Sequence, residues 1–319
     1  GSLQDADALD GERATVLTTA PVAGTYTLMA LGQGAGAYSV LATLGRPARL
    51  SYAALGDSYA SGEGVQPYLE PDPLLSGCHR STRAYARRLV LPGETAPLAA
   101  DPEAQVDLIA CSGAVTDDIP GDGEPRHGQP PQLAPANRVD ATRDLVTITI
   151  GGNDVQFAGI LGFCMAHEAC DRVRLFEPHS SLELGELFPL LVGRVTPDLL
   201  AVYDRIAAAA PDAATVVVDY PLVVSGNECP AAAVPGSEAL KLSAAEQAWM
   251  RDANALLNEA VEFAARASGL HFVSVQDRFE GHGVCGAQED WIAGLEPLDP
   301  RGSFHPTARG QLEYAGEIG

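Results

Sequence analysis

The stretch Leu145-Val146-Thr147-Ile148-Thr149-Ile150 restricts the fold more than any other segment. Every residue in it is apolar or β-branched, and Gly151-Gly152 ends it abruptly. A strand with one wet face alternates polar and apolar residues. A short unbroken run fits a strand covered on both faces, which is the habit of parallel sheets. Comparable strands are expected at 51–55, 106–110, 214–219 and 271–275. Helical segments are expected between them, at 85–91, 197–210, 244–267 and 306–314. In the helix over 244–267, Ser243 and Glu246 have capping-box spacing. Trp249, Ala253, Leu256, Leu257, Ala260 and Ala264 form its apolar stripe, and Gly269 stops it. Thr196 is expected to cap the helix over 197–210, with Pro197 in its first turn. Alternating strands and helices specify an α/β fold, a central parallel sheet with helices on both faces.

The chain has 319 residues, enough for one large domain with a small appendage. A formal net charge of -22 repels phosphate backbones, so no nucleic-acid partner is expected. No apolar run is long enough for a transmembrane segment. The cysteines are Cys78, Cys111, Cys164, Cys170, Cys229 and Cys285, an even count of six with no zinc-ligand spacing. They fit disulfides formed in an oxidising, extracellular compartment, expected in sequential order as 78–111, 164–170 and 229–285. Six buried free thiols are the alternative. Gly1-Ser2 reads as a cloning scar, behind which a secretion signal is expected to have been removed.

Residues 1–48 read differently from the rest. Strand-like runs at 25–31 and 37–43 flank a Gly-rich loop, so this part is expected to be an N-terminal β-hairpin appendage and linker. It is similar to the closing hairpin of small β-sandwich modules beside secreted hydrolases. An ordinary β appendage explains it equally well. Residues 49–319 form the second unit.

Three motifs follow expected strands: Gly56-Asp57-Ser58, Cys111-Ser112-Gly113-Ala114 and Gly151-Gly152-Asn153-Asp154. A fourth, Ser303-Phe304-His305-Pro306, lies near the end. Ligands in open parallel sheets bind at the carboxyl ends of strands, so the first three point to one site. Singly, each motif is an ordinary turn, bend or cap.

In order and spacing, the four resemble the blocks of the SGNH, or GDSL-type, hydrolase family. Leu55-Gly56-Asp57-Ser58-Tyr59-Ala60-Ser61-Gly62-Glu63-Gly64 is similar to the first block of its actinobacterial secreted esterase and phospholipase branch. Cys78-His79-Arg80-Ser81 and Ala110-Cys111-Ser112-Gly113-Ala114 fit the same branch, and the likeness spans about residues 50–316. The nucleophile elbow of α/β-hydrolases does not occur at Ser58.

This resemblance implies a three-layer, flavodoxin-like SGNH fold and a serine carboxylic-ester hydrolase. Ser58 would be the nucleophile and His305 the general base, working through an acyl-enzyme. The oxyanion hole would be the backbone N–H groups of Ser58 and Gly113 with the side-chain amide of Asn153. The reaction needs no metal and no organic cofactor. The substrate would be a small-molecule or lipid ester; a phospholipase or a polysaccharide O-deacetylase is the alternative, and a non-catalytic binding module the remote one. One position departs from the family pattern. Many members carry Asp three residues before the histidine, where this chain has Gly302. The carbonyl of Gly302 or Ser303 is therefore expected to orient the ring, with Asp299 as the carboxylate alternative.

Other groups receive plainer readings. Asp57 and Asp154 are expected to shape loops. His79 is expected at the surface, and His127, His167, His179, His271 and His282 share no metal-ligand spacing with it. Asp117, Asp118, Asp122 and Glu124 read as a solvated acidic face, with a calcium site as the sharper alternative. The apolar residues between Val155 and Val195 read as core or lid packing, part of which suits an acyl chain.

Overall fold

The computed structural model describes residues 50–70, 77–123, 125–174, 182–226, 242–295 and 299–319. The hairpin expected within 1–48 lies outside them, as do Cys229, Phe176, His179 and Glu124.

Five strands form one parallel sheet: β1 (Ser51–Gly56), β2 (Gln105–Leu108), β3 (Leu145–Thr149), β4 (Ala214–Val218) and β5 (His271–Val273). Their spatial order is β2-β1-β3-β4-β5. β1 and β3 sit centrally and are buried almost throughout, whereas the edge strands β2 and β5 are only partly covered. The unbroken apolar run at β3 has this cause: from Val146 to Thr149 its side chains are buried on both faces of the sheet.

The helices are α1 (Ser58–Ser61), α2 (Tyr85–Arg88), α3 (Phe157–Ala166), α4 (Leu184–Ala209), α5 (Ala244–Ala267) and α6 (Ala308–Ile318). α2 and α6 cover the threonine face of β3. Thr147 Oγ1 lies 2.7 Å from the Tyr52 hydroxyl and 3.1 Å from that of Tyr85, whose ring stacks on Tyr314 of α6. Gln311 ties this layer together, accepting from Tyr85 N at 2.7 Å and donating to Tyr59 O at 3.1 Å. α4 and α5 pack against each other elsewhere on the sheet.

α5 has the expected limits, and its capping box forms in both directions. Its buried stripe is rotated from the expected one and includes Asn254 and Asn258. Asn258 accepts from Tyr220 N at 3.1 Å and donates to Tyr220 O at 2.8 Å, while Asn254 accepts from Val223 N at 3.3 Å. Two polar side chains thus satisfy the backbone leaving β4, a need that apolar periodicity does not register.

The expected helix start at Thr196 is corrected. α4 runs unbroken from Leu184 with Pro189 and Pro197 inside it, and Thr196 Oγ1 donates back to Val192 O at 2.8 Å. An interior proline costs about 3 kcal/mol. The buried stripe Leu184, Phe188, Val192, Val195, Leu199, Val202, Tyr203 and Ile206 spans both prolines. At roughly 1.5–3 kcal/mol per large buried side chain, the stripe outweighs the prolines. Pro306 likewise falls outside its helix, which begins after Thr307, whose hydroxyl accepts from Gly310 N at 3.2 Å.

Two disulfides link Cys78 to Cys111 and Cys164 to Cys170, in the expected order, and Cys285 is also disulfide-bonded. The expected 229–285 pair involves Cys229, outside the described residues.

Candidate active site

Register brings three of the motifs together. Gly56 at the end of β1 pairs with Thr149 at the end of β3, so Asp57-Ser58 and Gly151-Asn153 leave the sheet side by side. β2 lies on the other flank of β1, and its continuation bonds Cys111 N to Gly56 O at 3.0 Å. Gly56 must be glycine: its φ is +124°, and a Cβ would come within 2.2 Å of Thr149 O. Gln132 brackets the same peptide, accepting from Gly56 N and donating to Gly56 O, each at 2.7 Å.

Ser58 opens α1. Asp57 is the N-cap, and its carboxylate accepts from Tyr59 N at 3.0 Å. Asp57 also accepts from the Tyr220 hydroxyl at 2.5 Å, and that hydroxyl accepts from Gly152 N at 2.7 Å. The expected loop-forming role of Asp57 thereby becomes a tie between the first and third motifs. Burial pushes its carboxyl up to about 7, against the pull of the Tyr220 and Tyr59 donors. Asp154 joins the third motif to the second, accepting from Thr116 Oγ1 at 2.6 Å and from Thr116 N at 3.1 Å.

The fourth motif returns over the same end of the sheet. Ala293 N donates to His305 O at 2.8 Å, and Phe304 N donates to Ala293 O at 2.9 Å. Tyr59 donates its hydroxyl to Phe304 O at 2.7 Å. The buried His305 ring presents Nε2 to Ser58 Oγ at 2.7 Å and Nδ1 to Ser303 O at 2.9 Å. Gly302 O instead accepts from the His305 backbone N–H, and Asp299 accepts from Gly302 N at 3.3 Å. Burial, the largest influence, pushes the imidazole below its ordinary range. Arg301 adds to that, while Glu63 and the Ser303 carbonyl oppose it.

Ser58, Gly113, Asn153, Ser303 and His305 line one cleft of about 410 Å³. Gly113 has φ +78°, a conformation that favours glycine. Among the described residues, no protein acceptor takes the N–H of Ser58 or Gly113. Asn153 Nδ2 donates to Ala114 O at 2.9 Å, which fixes its amide plane.

Two further buried groups lie beside the cleft, neither of them among the site residues expected from the sequence. Glu63 accepts from Ser112 Oγ, next to Gly113, and lies 2.8 Å from His79 Nδ1. His79 is therefore corrected from surface to interior: it is fully buried, bonded to Glu63 and stacked on Tyr68. The residue type gave no sign of this, because a buried histidine depends on a partner supplied by the fold. In the acidic loop, Asp118 pairs with Arg126 at 2.5 Å and Asp122 with Arg205 at 2.9 Å.

Residues 54–312 match the model of the GDSL-like Lipase/Acylhydrolase family. The chain belongs to this family. GDSL-like relatives include a lipase of Streptomyces rimosus, 32% identical over 261 residues, with 82% of each chain covered. Lipase 1 of Streptomyces coelicolor is 30% identical over 262 residues, again with 82% of each covered. Among solved structures, the extracellular lipase of Streptomyces rimosus aligns with TM-score 0.61 at 29% identity, over 84% of this chain and 98% of that one. Phospholipase A1 of Streptomyces albidoflavus aligns with TM-score 0.61 at 27% identity, over 84% of this chain and 97% of that one. The GDSL-like fold is thus the three-layer parallel-sheet architecture of those enzymes, and the protein is a carboxylic-ester hydrolase.

Proposed function

We propose that the protein cleaves acyl esters of lipid-like or small alcohols, with Ser58 as nucleophile and His305 as its base. The observation that carries this is the 2.7 Å approach of His305 Nε2 to Ser58 Oγ inside the cleft. His305 removes the hydroxyl proton as Oγ attacks the acyl carbonyl. The Ser303 carbonyl holds the other ring nitrogen as N–H, so Nε2 is the basic one. The tetrahedral oxyanion is received by the N–H groups of Ser58 and Gly113 and by the second N–H of Asn153 Nδ2. Each such donor is worth about 3 kcal/mol in the transition state. Collapse expels the alcohol, which takes the proton from His305 and leaves an ester on Ser58. Water, activated by the same histidine, then releases the acid.

Phe157, Ala158, Gly159, Gly162 and Leu295 supply an apolar wall for the acyl chain. Among the described residues, only Phe157 of the long apolar segment's bulky residues lines the cleft; Ile160, Leu161, Met165, Leu184 and Phe188 are core, and Leu190 is exposed. Disulfides in the described residues and an extracellular lipase among the similar structures support secretion. No helix among the described residues is long and apolar enough to cross a membrane.

The test is hydrolysis of p-nitrophenyl esters of graded chain length, with fluorophosphonate labelling in parallel. Wild type is expected to turn over and to label once, on Ser58. Ser58→Ala turning over at the wild-type rate would remove the proposal.

A further inference from the structure

The N–H of Gly113, a proposed oxyanion donor, sits on a residue that does little to hold its own backbone in place. Its φ is +78°, and a Cβ there would meet only Arg126 Nη1, at 3.5 Å. Such a donor must be aimed before the oxyanion forms, because its advantage comes from being fixed in advance. The aim has to come from the residues on either side. Ala114 N donates to Cys111 O at 3.0 Å, which closes the turn, and the Cys78–Cys111 disulfide anchors its start. Ser112, directly before Gly113, is held twice more. Its N–H donates to Cys78 O at 3.0 Å, and its hydroxyl donates to Glu63.

Glu63 is where the other motifs meet this turn. Its N–H donates to Ser58 O at 3.1 Å, so its main chain is tied to the proposed nucleophile. Its buried carboxyl group has His79 Nδ1 at 2.8 and 2.9 Å from its two oxygens and accepts from the Tyr68 hydroxyl at 3.4 Å. Arg301, four residues before His305, donates through Nη2 to the Ser112 hydroxyl at 3.2 Å and holds Nε 3.8 Å from Glu63. Gly64 packs on the same loop, where a Cβ would come within 2.9 Å of Gly302 Cα. Ser112 and Gly113 line the cleft, whereas Glu63 does not. Stability is a weak reason for this arrangement. A buried acid paired with a histidine stabilises a fold no better than apolar side chains of similar volume. What Glu63 supplies is a fixed distance: its main chain bonds the Ser58 turn, and its side chain bonds the residue before Gly113.

We propose that Glu63 is a positioning residue for ester hydrolysis, setting the Gly113 N–H against the Ser58 N–H by gripping the Ser112 hydroxyl. This rests on Ser58 and His305 being the reacting pair. Glu63 acts through Ser112 and has no contact with the substrate.

The experiment compares Ser112→Ala, Glu63→Ala and the double variant with wild type on a p-nitrophenyl ester. Ser112→Ala is expected to lower kcat by about ten- to a hundredfold with KM within about threefold, a part of what one oxyanion donor contributes. The double variant should lose no more than Glu63→Ala, because both changes break one contact. Inhibition is measured with an alkyl trifluoromethyl ketone, which Ser58 Oγ converts to a tetrahedral oxyanion, and with the matching trifluoromethyl alcohol, which forms none. In Ser112→Ala the ketone should weaken in step with kcat/KM while the alcohol binds as it does to wild type. An unchanged kcat in Ser112→Ala, equal weakening of ketone and alcohol, or losses that multiply in the double variant would each overturn the assignment. Failure of the reacting pair looks different: Ser58→Ala would turn over at the wild-type rate, and the ketone would bind wild type no better than the alcohol. Should Glu63→Ala fold poorly, Glu63→Asp takes its place in the cycle. It keeps the acid but draws the acceptor back by one methylene, and the same non-additivity with Ser112→Ala is required.

Discussion

Tyr220 holds Asp57 and Gly152 in a single chain of hydrogen bonds, donating to the carboxylate at 2.5 Å and accepting from the amide at 2.7 Å. Asp57 precedes Ser58, and Gly152 precedes Asn153. One phenol thus fixes the spacing between the turn that carries the proposed nucleophile and the loop that carries the proposed side-chain oxyanion donor.

Tyr220→Phe would strand a buried amide and a buried carboxyl together. The expected loss is about 2 kcal/mol of unfolding free energy, with kcat falling more than KM rises. The Tyr203 hydroxyl is a control from the same interior. It is buried with no hydrogen-bond partner among the described residues, so Tyr203→Phe should be neutral or slightly stabilising. Denaturant titration of the two variants separates the cases; equal losses would mean that the hydroxyl contacts of Tyr220 carry no particular weight.

That a main-chain carbonyl, Ser303 O, meets the His305 ring N–H has a direct consequence. The ring N–H meets Ser303 O, while Asp299 is engaged with Gly302 N. In a Ser-His-Asp enzyme, loss of the aspartate charge costs roughly 10⁴-fold in kcat. Asp299→Asn should therefore retain activity within about threefold, while His305→Ala should lose about 10⁴-fold or more. Steady-state kinetics on a p-nitrophenyl ester checks both. A large loss in Asp299→Asn would mean that the carboxylate reaches the ring during turnover.

Much of this geometry is legible in the sequence because it is local. The β3 run, the Ser243–Glu246 capping box and the strand-end motifs each declare themselves within ten residues or fewer, and register then assembles them. What escapes a sequence reading is decided at a distance. Thr196-Pro197 has the local form of a helix start, yet the stripe from Leu184 to Ile206 carries the helix through it. His79 looks like a surface histidine until Glu63, sixteen residues away in sequence, meets it in the interior. Gln132 sits in a Pro/Gly-rich loop whose composition says nothing of the bracket it places around Gly56.

The pH dependence of activity follows from the burial of His305. As the proposed base, the ring works in its neutral form, so activity is expected to fall as pH drops through the ring's pKa. Desolvation disfavours the charged imidazolium and lowers that pKa. The acid limb of kcat/KM should consequently have its midpoint below the ordinary value of about 6.5. A pH–rate profile of wild type gives the midpoint directly. One above the ordinary value would contradict the stated environment of the ring.

Asp219 gives the stability a slope of the opposite sense to the usual salt-bridged carboxylate. Burial pushes its carboxyl up to about 7, although it accepts from Val275 N at 2.7 Å and from Ser274 Oγ at 2.6 Å. In the unfolded chain the same group titrates near about 3.9. Between these values the native state holds the extra proton. The contribution of Asp219 is therefore full below about pH 4 and is lost as pH rises towards 7. Asn mimics the protonated form, since its oxygen can accept from Val275 N and its amide can donate to Ser274 Oγ. The melting temperature of Asp219→Asn, measured relative to wild type, should accordingly rise from pH 4 to pH 8. Taking the difference removes the influence of the acidic surface, which both proteins share. A difference that stays constant across that range would mean that Asp219 is already ionised in the folded protein at low pH.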